Sequence, residues 1–231
     1  MIQALLTIDD ISSENTCAIV DYLNAKNIPA IMFAVGKHIE KNPAPALYAI
    51  QHGIIVGNHG YAHPHFSELS LQEGIQDIEK CEVLLNQLYH LSDVERTFRP
   101  FRFPYGDKGG VNKDHLQAYL RRSGFSKVDD SRIPYPFWKE QGLDRDIDTL
   151  WTFDFTEYNI REGSHYTMDH VWARVRNPAP ENGAPLLGAD GRHILLLHAH
   201  DETEALVPKY YALLLDELLR NHVQFIRPEF C

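Results

Sequence analysis

A repeated switch between short apolar runs and longer segments with apolar residues at helical spacing runs through this chain and limits the folds open to it. Apolar runs cover residues 2–8, 29–35, 54–56 and 193–197, with further strand candidates at 97–103, 125–128, 150–155 and 223–226. Between them lie helix-like segments at 14–26, 38–51 (interrupted early by Pro43 and Pro45), 71–90, 112–122, 167–176 and 206–221. Ser70 and Glu73 form a capping box ahead of the third. Residues 131–146, with Pro134, Pro136 and Trp138, and the Pro/Gly-rich stretch 177–192 read as loops. Runs that are apolar throughout suit strands buried on both faces, and strands alternating with helices build a parallel sheet from βαβ units. Seven or eight such units without a Gly-rich dinucleotide fingerprint favour a barrel over an open sheet. The length of 231 residues agrees, since such barrels run to roughly 200–250 residues as one domain. With no repeat and no break in composition, residues 1–231 are expected to form a single domain.

Composition excludes several classes. A net charge of −10 and no dense Lys/Arg run argue against a nucleic-acid partner. Hydrophobic residues at 44% and charged residues at 23% describe a globular rather than a disordered chain. Cys17, Cys81 and Cys231 are odd in number and lack CxxC spacing, so no disulfide framework is expected, and Cys17 and Cys81 read as small core residues. No stretch approaches the length of a membrane span. The N-terminus reaches Asp9 and Asp10 before a signal-peptide core could form, so the chain as it stands reads as cytoplasmic, though a trimmed leader would look the same.

Ionisable clusters follow five of the expected strands: Asp9–Asp10; His59 and His63; Arg102 to Gly106; Asp154 and Glu157; and His198. In a barrel the C-terminal strand ends share one face, and active sites are built there. The spacing of His59 and His63 puts both rings on one side of a helical turn, kept short by Pro64. A lone HxxxH is more often exposed or packed. With Asp10 from a neighbouring strand end it makes the two-imidazole, one-carboxylate set that holds catalytic Zn²⁺ with positions open. Adjacent Asp9 and Asp10 should point to opposite sides, one toward the metal and one toward the substrate as a base; the same pair would equally cap the helix over 14–26. Arg102 can fix a carboxylate through two parallel hydrogen bonds, or be a surface residue before a turn. The Tyr105 N–H, after Pro104, can serve as an oxyanion donor. His198, delivered by an apolar strand, suits a general acid, a part that His200 or Asp201 could also play. Tyr61, Phe66, Tyr105, Trp138 and Tyr158 are candidates for stacking on a ligand ring, Trp138 foremost, with 131–146 as a groove wall; core packing is the alternative.

The ordered set Thr-Ile-Asp9-Asp10, His59-x-x-x-His63, Arg102-x-Pro104-Tyr105-Gly106, Asp154-x-x-Glu157-Tyr158 and Leu-x-Leu-His198 resembles the five motifs of polysaccharide deacetylases, the family 4 carbohydrate esterases. The resemblance spans residues 7–198. It implies a distorted (β/α)7 barrel and one divalent metal, most often Zn²⁺, with Co²⁺ or another ion as an alternative. It also implies an acetylated amino-sugar oligomer or polymer as substrate, giving free amine and acetate. Carried over, Asp9 is the base, Asp10, His59 and His63 are metal ligands, and Arg102 orients Asp9. Tyr105 lends its N–H to the oxyanion, His198 is the acid, and Asp154 or Glu157 supports His198 or Arg102. Three departures stand out: Ile8 where an aromatic is common, Gly60 where a Ser or Thr usually braces the loop, and Glu157-Tyr158 in place of Asp-Trp. The alternatives are hydrolysis of another amide or cyclic imide, and a non-catalytic glycan-binding barrel. The presence of both a base and an acid argues against the latter.

Overall fold

The computed structural model describes residues 1–181, 183–188 and 190–231. In chain order the elements are β1 (Gln3–Ile11), α1 (Thr16–Lys26), β2 (Ala30–Ala34), α2 (Gly36–Lys41), α3 (Ala44–Gln51), β3 (Ile55–Asn58), α4 (Leu71–Ser92), α5 (Lys113–Arg122), α6 (Pro136–Glu140), β4 (Phe153–Asp154), α7 (Met168–Val175), β5 (Arg192–His198), α8 (Asp201–Leu206), α9 (Tyr210–Arg220) and β6 (Gln224–Phe225). The sheet is parallel, in the order β3-β2-β1-β5-β4, with β6 against the start of β1. A parallel bridge between Asn58 and Phe101 carries the curve past β3. The result is a distorted β/α barrel.

Residues alternate across β1. Ala4, Leu6 and Ile8 pack outward among Ile19, Val20, Leu23, Leu214 and Leu218 of the helices. Leu5 faces inward with Ile31, Phe33, Ile194 and Trp138. Both faces are therefore apolar, which is why the strands read as unbroken runs.

Several expected elements are shorter than their sequence suggests. Of residues 97–103 only Phe101 makes a β-bridge, because Pro100 and Pro104 have no N–H to give a ladder. Residues 125–128 form no strand; Val128 makes one antiparallel bridge with Phe230. Only Phe153–Asp154 of residues 150–155 is strand. Helices end at Lys41 and at Leu206 ahead of Pro43 and Pro208, so 38–51 is divided between two helices and the helix expected over 206–221 begins only at Tyr210. Residues 131–146 contain α6, and Trp138 on it is 2% exposed, its Nε1 donating to Asp130 at 2.8 Å. Trp138 is thus a core residue rather than a stacking platform, and Phe66, 1% exposed, is another. Cys81 is buried, while Cys17 is only half-buried. The capping box at Ser70 and Glu73 is present. No helix among the described residues is long and apolar enough to cross a membrane.

Candidate active site and metal centre

The C-terminal end of β1 is irregular in a way that serves chemistry. Against β5 it stays in register up to Asp9 opposite His198. Against β2 the register slips between Ile8 and Ile11, a bulge, and Asp10 takes the left-handed conformation at φ 64°. Bulges re-aim side chains. Asp9 and Asp10 therefore do not diverge as strand alternation predicts; both carboxylates face one ring. His59 Nε2 lies 3.3 Å from Asp9 Oδ2 and 3.8 Å from Asp10 Oδ1. Neither Asp caps α1, whose N-cap is Asn15. His38 Nδ1 donates to the Asp10 carbonyl at 3.1 Å, holding the bulge from α2.

The segment between the two histidines is not a helical turn. Gly60 (φ 73°) and His63 (φ 57°) are both left-handed, yet the rings meet edge to face with centroids 4.8 Å apart. His63 Nε2 lies 3.4 Å from Asp10 Oδ1. One donor atom each from Asp10, His59 and His63 fall within 4.8 Å of one another.

The protonation of His59 tests whether a cation fits. Its Nδ1 lies 2.8 Å from the Arg102 carbonyl, which can only accept, so Nδ1 carries the hydrogen and Nε2 is a bare lone pair. Burial, then the neighbouring His63, pulls the His59 imidazole down to about 3, so a second proton is disfavoured. Burial also lowers His63. A lone pair facing two carboxylate oxygens without a donor is an arrangement of acceptors that a divalent cation satisfies, and imidazole and carboxylate are suitable donors for Zn²⁺.

Arg102 is fully enclosed. Its Nη1 donates to Asp9 Oδ1 at 2.7 Å and to Thr7 Oγ1 at 2.8 Å, and its Nε donates to the Thr149 carbonyl at 2.8 Å. The contact with Asp9 uses one N–H rather than the expected parallel pair. Thr7 is a member of this group that sequence reading missed. Its place two residues before Asp9, on the same strand face, was the available signal.

Tyr105 is left-handed (φ 59°) and its N–H donates to no protein acceptor among the described residues. Its exposed ring stacks on His65 at 4.0 Å and meets the edge of His63 at 4.6 Å. The Tyr105 side chain thus stands beside a metal-ligand candidate.

His198 is held by Glu157, not by Asp154. The fully buried Glu157 accepts from the His198 backbone N–H at 2.6 Å and from Nδ1 at 3.1 Å. Burial pulls the imidazole down, but the charge and hydrogen bond of Glu157, with Asp154 and Asp10, outweigh it and push it up to about 10. Asp154 completes a cluster with these two, accepts from Thr156 N at 2.8 Å, and is raised by burial to about 6. Tyr158 meets the His198 ring edge-on at 4.6 Å. The alternatives to His198 are engaged elsewhere. His200 accepts the Thr203 N–H, and Asp201 accepts the Glu14 and Asn15 N–H groups.

A cleft of about 460 Å³ opens beside Asp10 and His63, lined among others by His38, Lys41, Glu14 and Asp201.

A family model described as polysaccharide deacetylase matches residues 2–127. A peptidoglycan-N-acetylglucosamine deacetylase of Bacillus cereus is 33% identical over 106 residues, which is 46% of this chain and 37% of that protein. Chitin deacetylase 1 of Cryptococcus neoformans var. grubii is 26% identical over 159 residues, 69% of this chain and 30% of that protein. The chain thus spans well under half the length of these curated relatives. The solved chitin deacetylase of Colletotrichum lindemuthianum superposes with a TM-score of 0.64 at 21% identity, covering 98% of this chain and 88% of that one. With a family model matching more than half of its length, and a fold shared with a solved member over nearly all of it, this chain belongs to the polysaccharide deacetylase family.

Proposed function

We propose that this chain, taken as one catalytic unit over residues 1–231, is a metal-dependent hydrolase that removes N-acetyl groups from amino-sugar residues of an oligo- or polysaccharide. The observation that carries the reading is the convergence of Asp10, His59 and His63 between an arginine-held carboxylate, Asp9, and a carboxylate-held imidazole, His198. The names of the relatives, a peptidoglycan-N-acetylglucosamine deacetylase and a chitin deacetylase, direct the substrate toward polymers of N-acetylglucosamine.

Asp10, His59 and His63 would hold the ion, with Zn²⁺ the first choice for this donor set, and the ion would supply Lewis acidity to the acetamide carbonyl and to the attacking water. Asp9, kept in place by Arg102, accepts the proton of that water. The Tyr105 N–H donates to the oxygen on which negative charge builds during attack. His198 is charged at neutral pH because of Glu157, and it gives its proton to the departing amine. The C–N bond breaks, leaving the free amine on the sugar and acetate.

The test is acetate release from N-acetylglucosamine oligomers by protein of known metal content. Release that is lost on chelation, restored by Zn²⁺ and absent in Asp9→Asn supports the reading. Metal binding without acetate release would move the substrate to another amide.

A further inference from the structure

Gly60 leaves the loop between His59 and His63 without the hydroxyl that the motif comparison leads one to expect there, yet the loop is tightly held. Asp77, half-buried on α4, accepts from two successive loop N–H groups, with Oδ1 2.7 Å from Tyr61 N and Oδ2 2.9 Å from Ala62 N. The carbonyls of the same loop are taken up on its other side: Gly60 O accepts from Gly36 N and Tyr61 O from Lys37 N, both at 2.9 Å, at the start of α2. Asn58 closes the base, its Oδ1 accepting from Gly60 N at 2.7 Å while Glu82 accepts from its Nδ2. The loop therefore runs as an extra strand-like tie between a helix start and a carboxylate. Its left-handed residues, Gly60 and His63, are the ones that turn the two rings toward Asp10.

Gly60 and Asp77 depend on each other. A Cβ at position 60 would stand 2.7 Å from Asp77 Oδ1, and φ 73° strains any side chain there. A serine or threonine at 60 and the Asp77 clamp cannot coexist in this geometry. Left-handed residues and loops persist only when their surroundings over-determine them, and a carboxylate bonded to two consecutive peptide N–H groups does so.

We propose that Asp77 is a positioning residue for the metal centre, fixing through the Tyr61 and Ala62 peptides the separation at which His59 and His63 meet one ion. This rests on the metal reading above but concerns a residue that touches neither the ion nor a substrate. Hydrogen-bond partners that orient metal ligands change metal affinity by about 10- to 100-fold when removed.

The experiment strips the full chain of metal and titrates Zn²⁺ against a chelating dye, with the visible spectrum of the Co²⁺-loaded form as a second readout. Wild type, Asp77→Ala and Asp77→Asn are compared, and the thermal midpoint of each metal-free protein is recorded. Zn²⁺ affinity is expected to fall about 10- to 100-fold in Asp77→Ala with an altered Co²⁺ spectrum. Asp77→Asn, which keeps one carbonyl acceptor, should fall between and decides the matter if Asp77→Ala does not fold. Variants that bind Zn²⁺ within twofold of wild type, with an unchanged Co²⁺ spectrum, overturn the assignment even if their metal-free midpoints drop, because Asp77 then serves stability alone. A wild-type chain that binds neither ion overturns the metal reading itself.

Discussion

Arg102 Nη1 and Asp9 Oδ1 are 2.7 Å apart, and both side chains are closed off from solvent. A buried charge pair of this kind contributes little net stability, but removing one partner strands the other. Arg102→Met should therefore lower unfolding stability by about 3–5 kcal/mol in urea titrations and abolish deacetylation. The double variant Asp9→Asn with Arg102→Met should recover much of the stability and none of the turnover. Full stability in Arg102→Met alone would mean that Asp9 does not need its partner.

The pairing of His198 with Glu157 makes a prediction about pH. With the imidazole held up to about 10, its proton is present at neutrality and is lost only as pH rises through that region. An acid must be protonated, so the rate should fall on the alkaline side. Glu157→Gln removes the charge that raises the imidazole and should move this alkaline limb down by roughly one to three pH units. The same sign holds for stability: the pair's contribution is complete below the ordinary imidazole value of 6.5 and fades toward pH 10. An alkaline limb that does not move in Glu157→Gln would remove His198 from the role of acid.

Metal loading should be visible without any substrate. A ligand present at about 100 times its dissociation constant adds about 2.7 kcal/mol to the folded state, which corresponds to a rise of roughly 5–10 °C in Tm for a chain of this size. Zn²⁺ should raise the Tm of the stripped protein by about that much. His63→Ala, at a half-buried position whose ring makes no hydrogen bond to the backbone among the described residues, should fold and lose most of the increment. An equal rise in His63→Ala would show the ion bound elsewhere.

Trp138 separates core from ligand contact. Its ring lies among Ile133, Phe33 and Ile194, inside the barrel. Trp138→Ala should cost about 3–5 kcal/mol of stability in urea unfolding, while KM for sugar oligomers measured on the folded fraction stays unchanged. The opposite pattern would return Trp138 to the substrate groove.

Much of this molecule is written locally. The apolar runs at 2–8, 29–35 and 193–197 mark the three central strands because strands buried on both faces need side chains that are apolar on both. The Ser70–Glu73 box marks the start of α4 because its hydrogen bonds close within four residues. The residues of the site are legible because most lie at or just after the C-terminal end of a strand, and strand ends share one face whatever the details of the barrel. The rest depends on backbone turns and on partners far apart in the chain. The bulge that turns Asp9 and Asp10 toward the same imidazole is a mismatch between β1 and β2, invisible in either strand alone. That Glu157 rather than Asp154 holds His198 depends on the left-handed Thr156 between them, which places two carboxylates of similar chemistry at different ends of the cluster. Trp138 is core and not groove because its ring packs with Leu5, Ile31 and Ile194, side chains of three strands far from it in the chain. Side-chain type and spacing belong to the sequence; which of two equivalent groups meets a third is a matter of distances that only packing sets.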